Sequence, residues 1–230
     1  MRWRWRAVAL LATAFVGCRA DGRPGKAAPG PADTASTQGT PNQSPTIVFL
    51  GTSITAGLGV DPEQAYPQLI QAKLDSAGLE YQVVNAGVSG ETSAGALSRI
   101  GWVLRQRPAV LVIETGANDG LRGQSPASVE RNIQSLIDST HQKSPTTRII
   151  LAGMRALPNL GRDYVEQFVA IYPDLARTND IPLIPFILEG VAGIDRLNQA
   201  DGIHPTPEGH RRVAENVWRV MLPTLMGKPT

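Results

Sequence analysis

Ser53 lies in Gly51-Thr52-Ser53-Ile54-Thr55, directly after the apolar run Ile47-Val48-Phe49-Leu50, and far downstream the chain reads Asp201-Gly202-Ile203-His204-Pro205. A serine hydroxyl is too weakly acidic to attack a carbonyl at neutral pH. It needs a base within hydrogen-bond reach and a third group that fixes the tautomer of that base. His204 fits the first role and Asp201, three residues before it, fits the second. The inventory is that of nucleophilic acyl transfer.

Two further segments follow apolar, β-branched runs: Asn85-Ala86-Gly87-Val88-Ser89-Gly90-Glu91-Thr92 and Thr115-Gly116-Ala117-Asn118-Asp119-Gly120-Leu121-Arg122-Gly123. A tetrahedral intermediate carries a negative oxygen that pre-aimed donors must meet. The backbone N–H groups of Ser53 and Gly87 and the side-chain amide of Asn118 are candidates for that oxyanion hole. Each residue alone reads otherwise: a serine after a strand as a helix cap, Asn118-Asp119-Gly120 as a turn, Gly87 as a loop glycine. Their order is what carries the chemical reading.

The segments GTSIT, NAGVSGET, TGANDGLRG and DGIHP resemble, in that order, the four sequence blocks of the SGNH (GDSL) hydrolases. The likeness is greatest to the bacterial thioesterase I, lysophospholipase L1 and arylesterase subgroup, and it covers about residues 46–225. It implies Ser53 as nucleophile, Gly87 and Asn118 as oxyanion donors, and Asp201 and His204 as the other triad members. The chain departs from the family's name at two places, with Thr52 for Asp and Ile54 for Leu.

Other chemistries fail on spacing. The α/β-hydrolase elbow needs glycines two before and two after its serine, and Thr55 stands at the second place. The only histidines are His141, His204 and His210, and the last two are six apart running into a helix, on different turns. No metal site is expected. There is no phosphate-cradling GxxxxGK[ST], and Gly57-Leu58-Gly59 is only a short glycine-rich loop. No cofactor is expected either.

The 230 residues, 42% of them hydrophobic, suffice for one α/β domain and leave too little for a second. Residues 1–45 differ in kind. Arg2, Arg4 and Arg6 precede an apolar stretch from Ala7 to Gly17, too short to span a bilayer and proportioned like a secretory signal peptide. Phe15-Val16-Gly17-Cys18 resembles a bacterial lipobox, so that 1–17 would be removed and Cys18 lipidated. The rival is cleavage after Ala20. The lone cysteine favours the lipoprotein, since an unpaired thiol would be idle in an oxidising compartment. Residues 18–45, rich in Gly, Pro, Ala, Ser and Thr, read as a flexible tether before the domain at 46–227. The expectation is an exported protein of the bacterial cell envelope, periplasmic or anchored to the membrane by its N-terminal lipid. The formal charge of +2 belongs to the leader. Beyond residue 45 stand 16 basic and 18 acidic residues, so no nucleic-acid partner is expected.

Five runs read as buried parallel strands: 46–50, 81–85, 109–114, 147–152 and 181–185. Helical spacing runs through 63–77, 94–106, 127–141 and 162–179, and a last helix should start with Thr206 as N-cap and Pro207 first, turning Val213, Val217 and Leu222 inward. Such alternation requires an α/β three-layer sandwich on a five-stranded parallel sheet. The resemblance implies the flavodoxin-like order 2-1-3-4-5. Ligands then bind beyond the carboxyl ends of the strands, where Ser53, Gly87 and Asn118 all fall. Glu114, the one charge inside a core strand, is expected to be a carboxylate held by loop amides.

The expected function is hydrolysis of carboxylic esters and thioesters through an acyl-serine, with lysophospholipid among the substrates the resemblance implies. Leu121, Met154, Leu157 and Leu160, in loops after the third and fourth strands, are expected to wall the acyl channel. One rival stays within the hydrolases, a carbohydrate O-acetyl esterase with an open polar cleft, and the other is of a different class, a catalytically silent flavodoxin-like binding module.

Overall fold

The computed structural model describes residues 44–227. The expected leader, Cys18 and nearly all of the expected tether lie outside them. Five parallel strands, β1 (Thr46–Gly51), β2 (Gln82–Gly87), β3 (Val110–Glu114), β4 (Arg148–Ala152) and β5 (Leu183–Ile184), form one sheet in the order β2-β1-β3-β4-β5. The three-layer expectation holds. β1 and β3 are buried along their whole lengths but for Thr46, as strands covered on both faces must be.

Among the described residues seven α-helices accompany the sheet: α1 (Ser53–Ala56), α2 (Tyr66–Ser76), α3 (Ser93–Leu104), α4 (Ala117–Leu121), α5 (Pro126–Lys143), α6 (Arg162–Asn179) and α7 (Pro207–Leu225). α5 packs against both α3 and α6, while α2 packs against α7. Ile133, Leu136 and Ile137 of α5, and Val213 and Val217 of α7, turn inward as their spacing requires. Thr206 caps α7 by accepting the Gly209 N–H on Oγ1, with Pro207 first in the helix.

Three expectations need correction. The helix expected over 63–77 is broken: Pro62–Gln64 forms a 3-10 turn, Ala65 is extended, and α2 starts at Tyr66. Pro67 has no N–H to bond to Glu63, and its ring would strike the preceding turn, so the helix restarts beside it. The fifth strand shrinks to Leu183–Ile184 because Pro182 and Pro185 bracket it and neither can donate to a ladder. In α7, Met221 takes the inward place while Leu222 is only half-buried.

α2 and α7 meet at a buried histidine. His210 is fully enclosed; its Nδ1 accepts the Tyr66 N–H at 3.3 Å, its ring stacks on Tyr66 at 6.4 Å, and its Nε2 has no partner among the described residues. Burial first, and the nearby His204 second, push its pKa down to about 4. The unfolded chain protonates the same imidazole near 6.5. This share of the stability is therefore complete above pH 6.5 and is lost as pH falls from 6.5 toward 4, by on the order of 3 kcal/mol. His210→Asn keeps an acceptor for the Tyr66 N–H and removes the titration. Urea denaturation at pH 7.5, 6 and 4.5 should show wild type weakening through this window and His210→Asn changing much less; equal pH profiles would refute the assignment.

Candidate active site

Ser53 is the first residue of α1, on the turn that leaves β1, and is 8% exposed. Its Oγ lies 2.8 Å from His204 Nε2, and His204 Nδ1 lies 2.6 Å from Asp201 Oδ2. A carboxylate can only accept, so it fixes the hydrogen on Nδ1 and leaves the Nε2 lone pair facing the serine hydroxyl. The other Asp201 oxygen accepts the backbone N–H groups of Ile203 at 2.9 Å and His204 at 3.0 Å. The imidazole hydrogen bond and these two amides hold the carboxyl well below the usual carboxylate range.

The loop that presents the imidazole is closed on itself. Asn198 and Pro205 form an isolated antiparallel bridge, and the Gln199 N–H donates to the His204 carbonyl at 2.7 Å. Gln199 Nε2 donates to the carbonyls of Pro205 at 2.9 Å and Leu58 at 2.7 Å. One amide side chain thereby ties the His204 loop to the segment just after α1, which carries the serine. Nothing in the sequence marked Gln199.

Gly87 ends β2, level with Gly51 of β1. A Cβ at this position would come within 2.3 Å of the Ala56 backbone nitrogen, so only glycine lets the end of β2 lie against α1. Its N–H already donates to Asn85 Oδ1 at 2.9 Å, while Asn85 Nδ2 donates to the Thr55 carbonyl at 2.8 Å. Any oxyanion would share the Gly87 N–H with that turn. As the opening residue of a helix, Ser53 has an N–H without an intrahelical acceptor. Asn118, in α4, donates through Nδ2 to the Glu91 carbonyl at 3.0 Å, which orients the amide and leaves its second hydrogen free.

Glu91 is itself gripped. Arg99 of α3 donates Nε to Oε1 at 2.7 Å and Nη2 to Oε2 at 2.6 Å, and the same Nη2 reaches the Ala86 carbonyl at 2.8 Å. This largely buried pair joins the end of β2 to the loop that aims Asn118. Arg99 carries no signal in the sequence, because a pairing across a loop and into a helix has no periodic signature.

Beside Ser53 opens a cavity of about 280 Å³, lined among others by Ile54, Leu121, Met154, Leu157, Phe186 and Ile203. Three of the four residues expected to wall an acyl channel are present. The fourth, Leu160, is not: it sits in the 3-10 turn Pro158–Leu160, which packs against α6. Ile54, Phe186 and Ile203 take its place, from segments that the reading of single loops did not join.

Residues 49–212 match the model of the GDSL-like lipase/acylhydrolase family. Esterase TesA of Pseudomonas aeruginosa is 41% identical over 181 residues, covering 78% of this chain and 89% of that protein. Thioesterase 1/protease 1/lysophospholipase L1 of Escherichia coli K12 is 36% identical over 179 residues, 77% of this chain and 84% of that one. A crystal structure of TesA superposes with a TM-score of 0.74 at 41% identity, spanning 77% of this chain and 98% of that chain.

The hydrogen-bonded chain from Ser53 to Asp201 makes a sharp kinetic demand. Ser53→Ala and His204→Ala should each lower kcat by on the order of 10⁶, and Asp201→Asn, which favours the wrong tautomer, by about 10⁴. Thermal melting should show all three folded. Turnover of a p-nitrophenyl ester at a tenth or more of the wild-type rate in either alanine variant overturns these roles.

Proposed function

The chain belongs to the GDSL-like lipase/acylhydrolase family and is a hydrolase of ester bonds, and we propose that it cleaves carboxylic esters and thioesters through an acyl-serine intermediate formed on Ser53. One observation carries this reading: a serine and a histidine 151 residues apart meet at 2.8 Å, with a carboxylate on the far ring nitrogen.

The steps follow from that geometry. His204 Nε2 takes the Ser53 proton as Oγ attacks the acyl carbon. The carbonyl oxygen becomes an oxyanion facing the Ser53 N–H, the Asn118 amide and the shared Gly87 N–H. Donors of this kind are worth about 10²–10³ each in rate. The intermediate collapses, His204 protonates the departing alcohol or thiol, and water then attacks the acyl-enzyme with Nε2 again accepting the proton, which returns to Ser53 Oγ as the acyl–Oγ bond breaks and the acid leaves. Asp201 remains ionised throughout and stabilises the transient imidazolium.

The apolar cavity supports an acyl chain rather than an acetyl group on a sugar. Each buried methylene contributes about 0.8 kcal/mol, near a fourfold gain per carbon in kcat/KM while the cavity has room. kcat/KM should rise from acetyl to medium-chain p-nitrophenyl esters, with thioesters and lysophospholipid also accepted. Leu157→Asp should suppress the longer chains and spare the acetyl ester. Sugar acetates as the best substrates would hand the site to a carbohydrate esterase, and failure of Ser53 to react with a fluorophosphonate probe would mean a silent binding module.

The same proposal includes export and anchoring. Arg2, Arg4 and Arg6 before the apolar stretch 7–17, and the chain's single cysteine at position 18, support a lipidated N-terminus. One acyl chain holds weakly, so a stable anchor requires the several chains of a bacterial lipoprotein. Cys18→Ser should move the protein from the membrane fraction to the soluble one or block its maturation; a wild-type protein that is soluble with Asp21 at its N-terminus excludes the anchor.

A further inference from the structure

Glu114 takes no part in the steps above, yet its carboxyl lies beneath the turn that carries Ser53. The residue is fully buried. Oε2 accepts the Thr52 N–H at 2.8 Å and the Thr55 hydroxyl at 2.8 Å, while the Thr52 hydroxyl lies 2.9 Å from Oε1 and 3.0 Å from Oε2. These donors stand one residue before and two residues after Ser53. Gly51 makes room for the approach, since a Cβ there would lie 2.7 Å from Oε2 and 1.9 Å from Thr55 Oγ1.

The hydrogen bonds have a direction. The Thr52 N–H and both threonine hydroxyls donate to the carboxyl oxygens, and the Tyr66 hydroxyl, 2.7 Å from Thr55 Oγ1, is left to donate to it. Tyr66 in turn gives its backbone N–H to His210, in the helix that follows His204. Glu114 is also the last residue of β3, four positions before Asn118. A single acceptor group thus joins the serine turn to the segment bearing an oxyanion donor, at a place where an unpaired carboxyl would be costly. Burial raises its pKa, and the donors around it act against that shift.

We propose that Glu114 is a positioning residue for catalysis: through Thr52 and Thr55 its carboxyl fixes the direction of the Ser53 hydroxyl and N–H relative to His204 and Asn118. The inference rests on the acyl-serine reading. It makes Thr52 the working link at the position where the family's name has an acid. A carboxylate there would face Glu114 directly, whereas the threonine donates to it.

Glu114→Gln is isosteric but replaces one acceptor oxygen by an NH₂ that faces donors. A misplacement of the reacting groups by about 1 Å can cost 10²-fold, so kcat should fall by about 10- to 100-fold while KM, set in the neighbouring cavity, changes by no more than about threefold. The rate at which a fluorophosphonate labels Ser53 should fall in parallel. Thr52→Ala should lower kcat about fivefold and Thr52→Ser should restore it, and Glu114→Gln combined with Thr52→Ala should be no worse than Glu114→Gln alone, because residues acting through one another are not additive. A folded Glu114→Gln enzyme with kcat within twofold of wild type overturns the proposal, as do additive losses. Should Glu114→Gln fail to fold, equal turnover in Thr52→Ala and Thr52→Ser overturns it. Ser53→Ala serves as the control. If it remains active, the acyl-serine reading falls and this inference with it; if it is dead beside a fully active Glu114→Gln, this inference alone falls.

Discussion

In a parallel sheet every strand ends at the same edge, and the register decides how closely those ends approach. Here Gly51 of β1 stands level with Gly87 of β2, and Leu50 with Ile113 of β3. The serine turn, the Gly87 N–H and the loop toward Asn118 therefore leave the sheet side by side. The approach is possible only where side chains are missing: a methyl on Gly51 would strike Thr55 and Glu114, and one on Gly87 would strike the backbone of Ala56. Close approach at these two glycines, to side chains at Gly51 and to backbone at Gly87, constrains everything built above it. Shifting one strand by a single residue would turn each side chain to the opposite face and scatter the donors.

Two carboxyl groups near the serine live under opposite physics. Asp201 is exposed, and hydrogen bonds from His204 and two amides hold it ionised far into acid. Glu114 is enclosed, and burial resists its charge while four hydrogen-bond contacts favour it. The exposed acid serves a ring that must gain and lose a proton in each half of the reaction, so its charge must be dependable. The enclosed one meets only threonine donors. His210 is a third case: an imidazole kept neutral by the same enclosure, in the helix that follows His204.

Local signals were legible and distant pairings were not. The four motif segments, the strand-helix alternation and the Thr206–Pro207 start of α7 could be read because each depends on residues within a few positions. Even there, proline chemistry decided the details, interrupting the expected helix at Pro67 and trimming β5 between Pro182 and Pro185. Glu114 was recognisable as an anomaly, a charge in an apolar run, but its expected loop amides turned out to be one amide and two threonine hydroxyls from the serine turn. Arg99 with Glu91 and Gln199 with Leu58 escaped notice because nothing periodic links them. The cavity wall shows the same limit: Leu121, Met154 and Leu157 stand in single loops, whereas Phe186 and Ile203 enter only once β5 has paired with β4 and the His204 loop has closed on the segment after α1.

The two halves of the proton-transfer pair come from opposite ends of the described chain, Ser53 on the first turn and His204 just before the last helix. Chains emerge from synthesis N-terminus first and non-local contacts form late. A nascent polypeptide thus carries its nucleophile long before it acquires the base that activates it. Reactivity is deferred until the His204 loop has closed on the serine turn, so the hydroxyl stays inert while the chain is still open. Turnover in this architecture is a report that the two ends of the domain have closed on one another.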